Sequence, residues 1–245
     1  MSEPEASMWA EWNEESSKLF IDYGRYFVPE REQQIGVICD LIPPRDESFH
    51  ILELCCGEGL LAAALLERFP ACVVHGFDGS TGMLQHARQR LARYGERFVP
   101  RRFDLREREW RAPALPLQAI VSSLAVHHLD AEEKQQLYSD AHAMLSAGGA
   151  LLIADLIQPV SSAATMVAAR MWDEAVRARA QELDGNLDAF DFFRREHWNY
   201  YEFPDAYDKP SPLFHHLRWL EQAGFEDVDA YWLKAGHAIY GGRKT

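Results

Sequence analysis

From residue 50 to residue 156, apolar strand-like runs take turns with helical stretches, and that alternation leaves few folds open. "HILELC" (50–55) precedes a helical pattern over 59–69, and "CVVHGFD" (72–78) precedes one over 80–94. "RFVPRRF" (97–103) and "LQAIVSS" (117–123) follow. A helix over 130–145 then leads through "SAGG" into "ALLIADL" (150–156), where Gly148 and Gly149 suit a turn that needs positive φ. This rhythm predicts a doubly wound, mostly parallel sheet with helices on both faces.

The rhythm breaks after residue 157. Residues 158–212 hold no strand-like run, yet they carry Met171, Trp172, Phe190, Phe192, Phe193, Trp198, Tyr200, Tyr201, Phe203 and Tyr207. Aromatic stripes of this kind are usually core, and about half of these residues are expected to be. The segment reads as a helical lid that can also offer a dimer surface. Alternation resumes with a helix over 211–224 and strand-like runs over 225–235 and 237–244. Those two runs adjoin, so at least one strand runs antiparallel to the rest. At the other end, Trp9, Trp12, Leu19, Phe20, Tyr23 and Phe27 recur at helical spacing before Pro29, and a second helical stretch reaches Leu41. The expected organisation is a helical cap (1–45), a core (46–157), the lid (158–212) and a closing helix and hairpin of the core (213–245).

Composition narrows the partners. With 25 basic and 38 acidic residues the net charge is −13, which repels phosphate backbones and makes wholesale nucleic-acid binding an unfavoured expectation. Six arginines (97, 101, 102, 106, 108 and 111) cluster, but Glu96, Glu107 and Glu109 interleave them. That pattern suits a solvated face, and it is also the best candidate for an RNA contact. Cys39, Cys55, Cys56 and Cys72 show no C-x-x-C pair, as expected of reduced thiols in a cytoplasmic protein. The first residues lack a basic flank followed by an apolar stretch, and no run reaches membrane-spanning length, so neither a leader nor a membrane partner is expected.

In such a sheet, ligands lie beyond the carboxyl ends of the strands, so chemistry is sought there. The first strand ends in "ELCCGEG", where the small residues Cys55, Gly57 and Gly59 let backbone approach a ligand, though a plain β–α turn reads the same way. Asp78 ends the second strand before Gly79, where a carboxylate can grip a ribose diol or cap the next helix. Met83 could flank an adenine ring or lie in the core. Asp104, with the N–H of Leu105, could read adenine's amino group and ring nitrogen, or be a solvated loop acid. "SSLAVHHL" (Ser122, Ser123, Leu124, then His127 and His128) ends the fourth strand as the floor of a reaction site or as capping groups.

"ILELCCGEG", "GFDGSTGML", the Asp104–Leu105 pair, "SSLAVHHL" and "LSAGGALLIADL" occur in this order and at intervals that resemble the Rossmann-like class I S-adenosylmethionine-dependent methyltransferases. The resemblance covers residues 50–157 and resumes over 213–243. It implies a seven-stranded sheet with an antiparallel last strand, and S-adenosyl-L-methionine across the first strands. It gives Glu53 and the Cys55–Gly59 turn to the methionine end, Asp78 to the ribose, and Asp104 and Leu105 to the adenine. One departure is Cys55, which stands where the family has its first glycine. The N-terminal segment and the 158–212 insertion also resemble the carboxy-S-adenosylmethionine-using transferases of tRNA wobble uridine. That group places a residue like Arg31 on the cofactor and an insertion arginine, here near Arg194 and Arg195, on its carboxyl group.

The expected function is methyl transfer to a small, partly aromatic molecule at O or N, with His127, His128, His197, Tyr200 or Tyr201 as proton acceptor. No metal cluster stands out, so no metal is expected. Transfer to tRNA and a non-catalytic S-adenosylmethionine-binding role are the alternatives.

Overall fold

The computed structural model describes residues 13–43, 45, 47–111 and 115–245. Trp9 and Trp12, expected to open the first helix, lie outside the described residues. Two helices, α1 (Glu14–Phe27) and α2 (Arg31–Leu41), lead into the sheet. Its first half is β1 (Phe49–Leu54), α3 (Leu60–Arg68), β2 (Cys72–Asp78), α4 (Thr81–Arg90) and β3 (Phe98–Arg102). The second half is β4 (Leu117–Ser123), α5 (Ala131–Met144) and β5 (Leu145–Leu156). Helices α6 (Ser162–Asp184) and α7 (Asp188–Arg195) make up the insertion, and α8 (Leu213–Gln222), β6 (Glu226–Lys234) and β7 (His237–Arg243) close the fold.

The seven strands lie in the order β3-β2-β1-β4-β5-β7-β6, with β7 antiparallel to both neighbours. Central β1 and β4 are buried nearly throughout because helices cover both faces. One face packs Ile51, Val74, Val121 and Leu152 under α2, α3 and α4, and the other packs Leu52, Ile120, Ile153 and Tyr240 under α5 and α8. Strand order reverses between β1 and β4, which opens a crevice at their carboxyl ends.

Strand β5 begins at Leu145 rather than at the expected residue 150. Leu145 already pairs with Leu117, and pairing resumes at Ala150 opposite Ala119. The glycines therefore bulge within the strand, with Gly148 at φ 74°, and that bulge exchanges backbone hydrogen bonds with Lys244.

A third apolar cluster joins α1 to the insertion, which the sequence leaves far apart. Tyr26 and Phe27 of α1 pack with Trp172, Val176 and Phe193 of the insertion. Tyr23 stacks on Phe192 at 4.1 Å, and the Trp172 indole N–H donates to the Phe27 carbonyl at 2.7 Å. No described helix is long and apolar enough to cross a membrane.

Candidate active site

A cavity of about 1020 Å³ occupies the crevice. Its walls come from α1, the carboxyl ends of β1, β2 and β4, and the insertion. The first turn is drawn against strand two: Gly57 N–H donates to Asp78 Oδ2 and Ser80 N–H to Asp78 Oδ1, each at 2.8 Å. Burial pushes the Asp78 carboxyl up, and those N–H groups hold it down. Gly59 lines α4 rather than the cavity: at φ 81°, a Cβ there would stand 3.2 Å from Ala87 Cβ. Cys55 adopts φ 55°, a left-handed conformation that glycine takes more readily, and burial pushes its thiol well up, so it is no thiolate.

At one end of the cavity, Glu53 is 2% exposed and its Oε2 has no hydrogen-bond partner. Burial, and then the charge of Asp78, push its carboxyl well above the usual range, while Arg31 pulls it down. Arg31 Nη1 is likewise buried and without a partner. One carboxyl and one guanidinium, each with an unused buried atom on this lining, complement an ammonium and a carboxylate. These residues fit the amino-acid end of S-adenosylmethionine. Met83, Gly79, Asp104 and Leu105 line the same cavity beside Asp78. Glu14 closes the rim, its carboxylate accepting from the Ser80 hydroxyl and the Thr81 N–H at 2.8 Å each.

At the other end stand His127, His128 and Asp208 under Trp198, Tyr200, Phe203 and Tyr207. Asp155, at the end of β5, accepts from the His127 backbone N–H at 2.9 Å and also bonds His127 Nδ1. His127 Nε2 lies 3.5 Å and His128 Nδ1 2.9 Å from Asp208 Oδ1. Burial opposes charge on His127, but Asp155 and Asp208 outweigh it and raise its pKa to about 10. Burial and the neighbouring His127 push His128 down to about 4. His127 therefore holds its own proton at neutral pH and is no base there, whereas His128 is neutral.

Ser123, Leu124, His197 and Tyr200 also line the cavity. Ser122 does not: its hydroxyl donates to the Leu54 carbonyl at 3.1 Å between strands. Tyr201 does not either, since its hydroxyl lies 2.8 Å from the Ile157 carbonyl and 2.5 Å from that of Gly236. It serves as a strut rather than a proton acceptor. Arg194 is paired with Asp173 and Glu202, and Arg195 with Glu196, all away from the cavity lining. Sequence reasoning missed Asp155, Asp205, Asp208 and His237, all of which are at or behind this end. Asp155 carried a signal, since it is an acid at a strand's carboxyl end like Asp78.

An open sheet that reverses at β1 and β4, with carboxylates ending its first strands beside a glycine turn, defines a Rossmann-like fold with a crevice where such folds take ligands. Residues 51–149 match the family model described as a methyltransferase domain. An uncharacterized methyltransferase of Geobacillus thermodenitrificans is 32% identical over 148 residues, 60% of this chain and 61% of that protein. Among solved structures, an O-methyltransferase family protein from Burkholderia thailandensis superposes with a TM-score of 0.64 at 16% identity, covering 95% of this chain and 60% of that one. An O-methyltransferase family 2 protein from Planctomyces limnophilus, in complex with apigenin, gives 0.61 at 18% identity, covering 97% and 63%. Residues 51–149 are thus similar to a methyltransferase domain, and the fold around them is shared with structures of S-adenosylmethionine-dependent methyltransferases. The chain spans between 32% and 61% of the length of the curated relatives it matches.

Proposed function

We propose that this chain transfers the methyl group of S-adenosylmethionine to an oxygen or nitrogen of a small, partly aromatic acceptor. The observation that carries the reading is the pair of unused buried atoms, Glu53 Oε2 and Arg31 Nη1, in a cavity that continues to an aromatic, histidine-lined end. When bound, the cofactor supplies an electrophilic methyl on a sulfonium. Glu53 and Arg31 hold its amino-acid end, the Asp78 carboxylate accepts from the ribose hydroxyls, and Met83 and Asp104 flank the adenine. The acceptor lies against the aromatic side chains near His128. Its lone pair would meet that methyl, and His197 on the same lining would take the O–H or N–H proton that the acceptor gives up. Orientation supplies most of the rate, and the insertion and α1 act as the lid that keeps water out. The Planctomyces limnophilus neighbour's aromatic ligand, apigenin, accords with such an acceptor.

Binding of S-adenosylhomocysteine by calorimetry, followed by transfer of labelled methyl to a panel of phenols and aromatic amines, tests this reading. Asp78→Asn keeps the shape but loses the charge, and its expected effect is about 1 kcal/mol weaker binding, roughly fivefold. An unchanged dissociation constant in the folded variant removes Asp78 from the ribose.

Transfer to tRNA is the less favoured reading. Arg97 donates to the Leu66 and Pro70 carbonyls, Arg102 to that of Gly79, and Arg111 to Asp140, so these arginines are engaged within the fold. Bulk tRNA at physiological salt is expected to show no retention in a filter-binding assay. Tight, steeply salt-dependent retention would reverse that order.

A further inference from the structure

We propose that His127, His128 and Asp208 form a binding site for one divalent ion of the zinc or ferrous type, with an open coordination position facing the acceptor. The inference rests on the reading of that end of the cavity as the acceptor chamber, and it deepens it. Each residue offers one ligand atom, and the three atoms lie within 4.8 Å of one another. Bonds of about 2.0–2.1 Å in a tetrahedral site place ligand atoms about 3.3 Å apart. The separations from Asp208 Oδ1 to His127 Nε2 and to His128 Nδ1, 3.5 and 2.9 Å, fall on either side of that value.

The surroundings are those of a ligand set rather than of a chance cluster. Metal-bound imidazoles are commonly oriented by a carboxylate on their other nitrogen. Asp155 does this for His127: it bonds Nδ1 and also holds the residue's backbone N–H, which aims Nε2 at Asp208. Asp208 is itself placed by a tight turn in which the Asp205 carboxylate accepts from the N–H groups of Tyr207 and Asp208 at 2.8 Å each. Two imidazoles and one carboxylate suit borderline ions better than magnesium or calcium, which prefer all-oxygen sets. The ion takes the place of the His127 Nε2 proton, which is released to solvent, and the carboxylates of Asp208 and Asp155 together then balance a divalent charge. Three protein ligands leave a position for an exogenous donor, and all three line the cavity. The acceptor class that follows is one with an oxygen donor, such as a phenol or an enolisable carbonyl compound, bound through that oxygen.

The test uses the purified full chain stripped with a chelator. Titration with Co²⁺ is expected to give visible d–d bands saturating at one equivalent, and Zn²⁺ is expected to displace them. Asp208→Asn and His128→Gln are each expected to weaken Co²⁺ binding by at least about 100-fold, and Asp155→Asn by about 10–100-fold, while all three still bind S-adenosylhomocysteine. His75→Gln, altering the His50–His75 pair on β1 and β2 outside the cavity lining, is expected to leave the titration unchanged. A wild-type protein without stoichiometric binding, or bands that persist in Asp208→Asn and His128→Gln, overturns the inference. Metal binding without any S-adenosylhomocysteine binding would instead remove the methyltransferase reading and leave the metal site standing.

Discussion

Glu53→Gln is expected to give a protein that melts higher than the parent and binds S-adenosylhomocysteine about 10–100-fold more weakly. The two effects share one cause. Glu53 is buried, its Oε2 is unpartnered, and its carboxyl is held well above the usual range by burial and by Asp78. A carboxyl whose pKa is raised on folding favours the native state while protonated. That stability is present below the ordinary value of 4.5 and is lost as pH rises through the raised folded value. Glutamine has no charge to desolvate, so the variant lacks this loss, and its advantage over the parent grows from acid to neutral pH. The cofactor's ammonium reverses the balance, because it favours the carboxylate. Binding to the parent therefore releases a proton and tightens as pH rises. Loss of a charge-assisted hydrogen bond of about 1.5–3 kcal/mol sets the size of the binding defect. Melting curves of both proteins at acid and neutral pH, with titrations in two buffers of different ionisation enthalpy, check both halves. Parallel stability profiles, or proton release that survives in the variant, would refute the assignment.

Glu53 also shows what a sequence can and cannot say. Its position at the end of a strand before a glycine turn was legible, because strand periodicity and turn chemistry are local. So were Asp78 and the antiparallel pair at the end of the chain. The partner that makes Glu53 informative, Arg31, reaches it from a helix outside the sheet, and no local pattern encodes that approach. The acceptor end was harder still. His127 and His128 are adjacent and identical in type, yet Asp155 and Asp208 make one a cation, while burial and that cation leave the other neutral. Asp208 sits in a loop without periodicity, and only the packing of that loop against α5 and the segment after β4 brings it there. Ser122 and Tyr201 were misread for the same reason. A polar side chain at the right depth can satisfy a backbone carbonyl instead of facing the ligand.

Lys134 is the largest such surprise, and it carries the second prediction. In sequence it is a lysine among glutamates on a helix, ordinarily a solvated position. In the fold it is 0% exposed, bonded through Nζ to the Lys209 carbonyl and, at 3.0 Å, to the Ser211 hydroxyl. Lys209 N–H in turn donates to the His127 carbonyl at 2.8 Å, so Lys134 pins the loop that carries Asp208. Burial lowers its pKa from 10.5 to about 8, against the pull of Asp155 and Asp130. A lysine whose pKa falls on folding penalises the native state while charged, and the penalty fades as pH rises through the folded value toward the unfolded one. At about 1.4 kcal/mol per pH unit, wild-type stability should gain about 3 kcal/mol between pH 8 and pH 10.5 from this group. Lys134→Met should lack that gain. Near neutral pH its stability is expected to stay within about 1–2 kcal/mol of wild type, because relief of a buried cation offsets two acceptors left without their donor. Urea unfolding of both proteins at pH 7.5 and pH 10 measures the difference directly, and the tyrosines and cysteines that also titrate in this range cancel between them. Amide exchange should quicken over residues 205–211 in the variant, where the pin is gone, and not in β1 or β4. If the two stability profiles rise in parallel, or if exchange in that loop is unchanged, Lys134 is not the group that holds Asp208 in place.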